Sequence, residues 1–353
     1  MKTITIRSLQ AILPMMLLPG ILFSAEPEKK NDAVPPAAQG APGRPGSPDA
    51  KGPPPKKPAS TTPPDMTNVV YGSDTKFDVF DLWKAKSDKP TPLVIFIHGG
   101  GGVDGRDKNS ILTQFPLDQL LHAGISCASI DYRKEVNGKI YFPNPFLDSA
   151  RAVQFLRYKA TEFNLDPARI ACCARGAGGS GISLLIAFHK DLADPRSDDP
   201  VVRESTRLTC VAVEKAVVSF DPRWIKENLP GKAWRGPNLA AIFGMKDAAE
   251  ADLLNPAPEK ARLMEENAPI NYLTADAPPV FLSYPGESLS PKPGADIRMI
   301  DFGLILKQKM DALKVECEIM GGWPQNPECT GPDKSDLEFL LRHFGMPTSH
   351  PHP

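Results

Sequence analysis

Residues 93–105 read Leu-Val-Ile-Phe-Ile-His-Gly-Gly-Gly-Gly-Val-Asp-Gly. A run of large apolar residues with no polar face to offer water predicts a strand buried on both sides. The glycines that follow predict a tight turn where the backbone leaves that strand. Working outward, similar strand-like runs recur at 125–130, 169–174, 211–219, 279–284 and 315–320. Helical patterns lie between them, most clearly at 147–163, where Leu147, Ala150, Val153 and Leu156 form an apolar stripe, and at 302–313. Apolar strands alternating with helices predict an α/β fold: a doubly wound, mostly parallel sheet over 66–346 with helices on both faces. His98 and Gly176 should then lie at the carboxyl ends of their strands, where open α/β sheets place ligand sites. The segment 190–270, rich in Pro, Asp and Arg, interrupts the alternation and predicts an insertion over one edge of the sheet, where a lid could form.

Outside that domain the composition changes. Lys2 and Arg7 precede an apolar stretch from Ala11 to Phe23, which ends in the small residues Ser24 and Ala25. Residues 1–25 therefore read as a signal peptide for export. From Glu26 to about Asp65 there are twelve prolines, no aromatic residue and Val34 as the only large aliphatic before the domain. Such a stretch buries too little to offset its ordering entropy, so it is expected to be a dispensable disordered tether. Residues 347–353, with His350 and His352, read as a flexible tail. The balance of 41 basic against 42 acidic residues removes the footprint expected of a nucleic-acid or anionic-membrane binder. Among six cysteines, Cys127, Cys172 and Cys173 fall in strand-like runs and read as buried thiols, which leaves Cys317 and Cys329 as the pair free to bridge.

The glycine loop admits two readings. Gly100, Gly102 and Gly105 fit a G-x-G-x-x-G dinucleotide fingerprint, with Asp131 at the end of the next strand as the ribose-binding acid. An export signal argues against a nicotinamide cofactor, and no cofactor is expected. In the second reading, the strand followed by His98-Gly99-Gly100-Gly101 resembles the loop of α/β-hydrolase-fold esterases and lipases, acetylxylan- and feruloyl-esterase-like proteins among them. The resemblance extends through Ser129-Ile-Asp-Tyr-Arg133, Phe142-Pro143, Asp148 and Leu165-Asp-Pro-Ala-Arg-Ile-Ala171. It implies that His98, Gly99, Gly100 and Gly101 form an oxyanion loop, whose backbone N–H groups stabilise a tetrahedral intermediate. It also implies a serine on a strained elbow, G-x-S-x-G, directly after the strand that begins at Arg169.

That serine is missing. Counting forward from Arg169 puts the nucleophile slot at Gly176, and counting back from the following helix puts it at Ala177. Neither side chain can attack a carbonyl. Ser180 is the remaining candidate, in a register that needs a longer loop; Ser180 and Ser183 also fit plain helix-start hydroxyls. The resemblance places the acid near Glu287, where a solvated turn carboxylate is an equally simple reading. It places the histidine in Gly321–Asn326, which contains none. His189 and His343 each end a helix and fit cations at its negative pole. No ligand set for a metal is spaced along the chain. Two functions follow: an exported esterase-like protein, catalytically impaired, that retains a pocket for a small ester, acyl or glycan ligand; or an active carboxylic-ester hydrolase using Ser180.

Overall fold

The computed structural model describes residues 60–100, 106–134, 142–245, 248–287, 300–322 and 328–348. The proposed signal peptide, most of the tether and the end of the tail lie outside them. Nine strands form one sheet: β1 (Met66–Val70), β2 (Val79–Trp83), β3 (Thr91–Ile97), β4 (Ser126–Ile130), β5 (Leu165–Arg175), β6 (Cys210–Glu214), β7 (Val280–Ser283), β8 (Cys317–Gly321) and β9 (Glu328–Cys329). Their order is β1-β2-β4-β3-β5-β6-β7-β8-β9. β3 through β8 run parallel, while β2 lies antiparallel between β1 and β4. This is the α/β-hydrolase arrangement that the sequence predicts.

The five principal helices used below are α1 (Leu117–His122), α2 (Asn144–Tyr158), α3 (Ala177–Phe188), α4 (Asp301–Ala312) and α5 (Asp336–His343). Successive side chains of a strand point to opposite faces, and β3 shows the result. Leu93, Ile95 and Ile97 enter one core with Val153, Leu185 and Phe302; Val94 and Phe96 enter a second with Phe115, Phe281 and Phe339. Both faces are thus dry, which is why the strand had no alternation to read.

Several expectations need correction. The run 211–219 is not one strand: β6 stops at Glu214, and Lys215 takes φ 56°, which turns the chain away. The segment 190–270 is not wholly an insertion, since it contains β6 of the sheet. It folds into short helices such as Pro222–Asn228 and Pro258–Glu266, whose Ile225 and Met264, with Leu239 and Phe243, join the main core. The tether ends earlier than Asp65. The Ser60 and Thr62 hydroxyls donate to Asp118 Oδ1 at 2.8 and 2.6 Å, and the Trp83 indole N–H donates to the Thr62 carbonyl at 2.8 Å. Cys317 and Cys329 do not bridge, because Cys329 stands opposite Met320, three residues along β8 from Cys317.

Candidate functional site

The parallel strands end together, with Ile97 beside Ala174 and Arg175 beside Glu214. His98 and Gly176 therefore lie together at the carboxyl ends of two neighbouring central strands. Gly176 is the residue between β5 and α3, with φ 84° and ψ 161°, in the half of the Ramachandran map open mainly to glycine. The sharp strand-to-helix turn therefore centres on Gly176. Ala177 is simply the first helical residue. Of the two residues named above, Gly176 takes the turn and Ala177 begins the helix. Gly179 lets α3 press on the end of β3, since a Cβ there would stand 2.2 Å from the Ile97 carbonyl oxygen.

Ser180 sits within α3, fully buried, and its hydroxyl donates to the Glu214 carbonyl at 2.7 Å. Its hydroxyl is thus engaged by backbone. Ser183 likewise donates to the Gly179 carbonyl at 2.8 Å. Cys172 and Cys173 are buried in β5, and desolvation pushes both thiols up, Cys172 to about 12, so neither supplies a thiolate near neutral pH.

On the loop side, His98 and Gly99 follow β3 directly, Gly100 takes φ 98°, and Gly101 lies outside the described residues. The His98 ring is fully buried and stacks on Tyr132 at 4.4 Å. Its Nδ1 faces the Gly99 carbonyl at 2.8 Å; its Nε2 lies 3.2 Å from Asp131 Oδ1, close enough for electrostatic pairing but not aligned as a hydrogen bond. Tyr132 donates to the His98 carbonyl at 2.9 Å. His98 is thus a brace for the loop. Asp131 also accepts from the Lys108 backbone N–H at 3.0 Å and lies 3.7 Å from Lys134 Nζ, so its carboxylate is engaged within the protein rather than presented to a ribose.

The position expected for the acid is also tied to backbone. The half-buried Glu287 accepts from the backbone N–H of Ile300 at 2.8 Å, tying its carboxylate to the start of α4. Its carbonyl accepts from Gly322 N–H at 2.5 Å, which joins the turns after β7 and β8. Trp323–Asn326, the rest of the expected histidine slot, lies outside the described residues. Among the described histidines, His122 pairs with the Asp118 carbonyl, His189 with the Lys190 carbonyl and the rings of Phe146 and Tyr272, and His343 with Glu316 and Phe339. None of these partners belongs to an elbow or to the acid slot.

Two arginines were missed by sequence reasoning. Arg106 reaches the elbow: its Nη1 would lie 2.8 Å from a Cβ at Gly99 and 3.4 Å from one at Gly176. A guanidinium therefore stands beside the space that a nucleophile would use. Arg175, directly before Gly176, is buried at the end of β5, bonded to Asp336, 3.4 Å from Glu214 and over the Phe115 ring at 5.0 Å. Burial opposes its charge, but Asp336 and Glu214 more than offset that and hold the guanidinium above its ordinary pKa. A charged residue ending an apolar run was the signal for it. Arg175 floors a cleft of about 420 Å³ at the carboxyl ends of β5 to β8, edged by Phe115, Ser283, Met320 and Leu337. That volume suits a small organic ligand.

Residues 80–287, more than half of the chain, match the BD-FAE family model. A stretch of 113 residues is 34% identical to esterase LipC of Mycobacterium tuberculosis, covering 31% of this chain and 27% of that protein. Among solved structures, the fold resembles an acetyl ester-xyloside bifunctional hydrolase from Caldicellulosiruptor lactoaceticus, with 25% identity, a TM-score of 0.51, and coverage of 70% of this chain and 78% of that one. It also resembles a truncated carbohydrate esterase from gut microbiota, with 18% identity, a TM-score of 0.56, and coverage of 75% and 90%.

Proposed function

The chain belongs to the BD-FAE family, and from that premise we propose that it is an esterase-like protein that has lost turnover and retains a ligand pocket. The observation that carries this reading is the elbow, where Gly176 holds the turn at φ 84° and offers no nucleophile. A tetrahedral adduct needs an attacking atom and a base to take its proton. Ser180 spends its hydroxyl on the Glu214 carbonyl, and Glu287 spends its carboxylate on the start of α4. Supporting a retained pocket are the cleft at the carboxyl ends of β5 to β8 and the likeness to proteins named as an esterase and as an acetyl ester-xyloside hydrolase. The ligand class that fits is a small ester, an acyl acid or an acylated glycan, with no cofactor. Residues 1–25 fit export, with residues 26–59 as a tether between the signal and the domain.

The test is direct. Purified protein should hydrolyse p-nitrophenyl acetate at the background rate of surface nucleophiles and resist labelling by a fluorophosphonate. Rapid turnover abolished by Ser180→Ala would instead establish a hydrolase with a displaced nucleophile.

A further inference from the structure

In neighbouring parallel strands, residues in register project to the same face of the sheet. Arg175, Glu214, Ser283 and Met320 are in register across β5, β6, β7 and β8, and together they line the cleft of about 420 Å³. They differ in what they have left to offer a ligand. The Arg175 guanidinium is held from three sides: it bonds Asp336, lies 3.4 Å from Glu214 and donates to the Ala174 carbonyl at 3.3 Å. Glu214 and Ser283 are less engaged. Among the described residues, the Glu214 carboxylate accepts no hydrogen bond and the Ser283 hydroxyl makes none. Ser283 is nevertheless only 6% exposed. Buried polar groups in folded proteins are almost always bonded, so this hydroxyl, which faces the cleft, is left for whatever enters it.

We propose that Glu214 and Ser283 select the cleft's ligand, admitting a neutral, hydroxyl-bearing group and turning away a free carboxylate. A hydroxyl both donates and accepts, and so complements a carboxylate acceptor that stands beside a serine. A carboxylate only accepts. Ser283 can donate to it, but Glu214 next to Ser283 then meets it as a like charge in a partly desolvated site. The other charged groups that line the cleft do not reverse this bias. Asp118, Glu214 and Asp336 stand against Arg175 and Lys334. Arg175 is already matched by two of those carboxylates. Asp118 accepts from the Ser60 and Thr62 hydroxyls, which add no charge. Lys334 is an exposed residue on the rim, where water screens its ammonium, 3.5 Å from the Gly331 carbonyl. Phe115, Leu117 and Phe281 supply apolar surface for a carbon skeleton. Granted the retained pocket proposed above, on which this rests, its occupant is the alcohol side of an ester rather than the free acid.

Benzyl alcohol and benzoate are alike in size, carry a hydroxyl and a carboxylate respectively, and contain no ester. Calorimetric titration of the purified protein with each therefore reads selectivity apart from turnover. At neutral pH the wild-type chain should bind benzyl alcohol about tenfold more tightly than benzoate, a ratio within what one like charge nearby imposes. That ratio needs no variant. Ser283→Ala should weaken the alcohol about fivefold, the effect of one lost hydrogen bond. Glu214→Gln, which keeps an acceptor and removes the charge, should close the gap by strengthening benzoate. Both substitutions leave the backbone carbonyls of these residues to accept from Lys215 N–H and the Ser180 hydroxyl, and a melting curve shows that each variant is folded. Benzoate bound as tightly as the alcohol by the wild-type chain would overturn the selectivity while leaving the cleft a pocket. Unchanged alcohol affinity in a folded Ser283→Ala variant would overturn it equally. Binding of neither probe at millimolar concentration would remove it together with the retained pocket. Ester hydrolysis, measured separately, decides the loss of turnover alone.

Discussion

At Gly176 the chain turns from β5 into α3 at φ 84° with no side chain at the turn. A serine in that conformation carries strain of order 1–3 kcal/mol, which active enzymes tolerate because the strain presents the nucleophile. Glycine adopts φ 84° without that cost. Gly176→Ser should therefore lower stability by about 1 kcal/mol in a denaturant melt and recover no hydrolysis, since its Cβ would face Arg106 Nη1 at 3.4 Å and no described histidine is positioned as a base. Ser180→Ala should also cost about 1 kcal/mol and leave any background rate unchanged. The loss is modest because the Glu214 carbonyl keeps a second donor, the Gly176 N–H at 3.1 Å. The place of the turn was legible to within one residue, because the apolar run from Arg169 fixes where the strand must end. The roles of Ser180 and Glu287 were not. Whether a hydroxyl faces substrate or a carbonyl depends on helix phase, and the two backbone groups concerned, at Glu214 and Ile300, are distant from the usual sequence cues.

The strands that the sequence reveals are those buried on both faces. β3, β4, β7, β8 and residues 170–174 of β5 fit this description, and each is a continuous apolar run with at most small or isolated polar residues. β2 is buried at every position too, yet Asp81 breaks its pattern, and only the fold shows that Lys108 pairs with it at 2.6 Å. β1 is an edge strand, mostly exposed, with Asn68 at φ 51°, so neither alternation nor burial marks it. The same limit hid the docking of residues 60–64, which are polar, proline-rich and without regular structure, but which satisfy buried groups of the domain. A chain beginning at Asp65 should consequently melt several degrees below one beginning at Ser60. Loss of the Thr62 carbonyl leaves the indole N–H of the buried Trp83 without its acceptor, at a cost of about 1–3 kcal/mol, and a domain this size shifts by roughly 2–4 °C per kcal/mol. The difference should narrow in acid. The Thr62 and Ser60 hydroxyls hold Asp118 below its ordinary value, so that contribution is present above the unfolded value near 4 and is lost as pH falls through the folded one. Coincident melts at neutral pH would return these residues to the tether.

For the molecule as a whole, stability rests on two cores divided by one sheet, with no covalent staple, as all six cysteines are free. A domain of this length buries enough surface to fold without disulfides, even in an oxidising compartment where they would form. Its thiols therefore report on the integrity of the cores. Cys127, Cys172, Cys173, Cys210 and Cys317 are at most 4% exposed, and desolvation raises all five, Cys172 and Cys317 to about 12. A thiol reagent needs both contact and thiolate, and the folded state denies both. Native protein should accordingly give at most one fast equivalent with Ellman's reagent, from the half-buried Cys329, and six in denaturant. The remaining five should react only through opening of the sheet, at rates that fall together as stability rises. Because Cys127 and Cys173 lie in one core and Cys172 and Cys317 in the other, a single shared slow rate would mean that the two cores open together; two rates would mean that the sheet can lose one face at a time. The central strands make the first outcome the expected one, since Ile95 and Phe96 are neighbours in β3 that belong to opposite cores, and neither face can loosen without disturbing the strand that carries both.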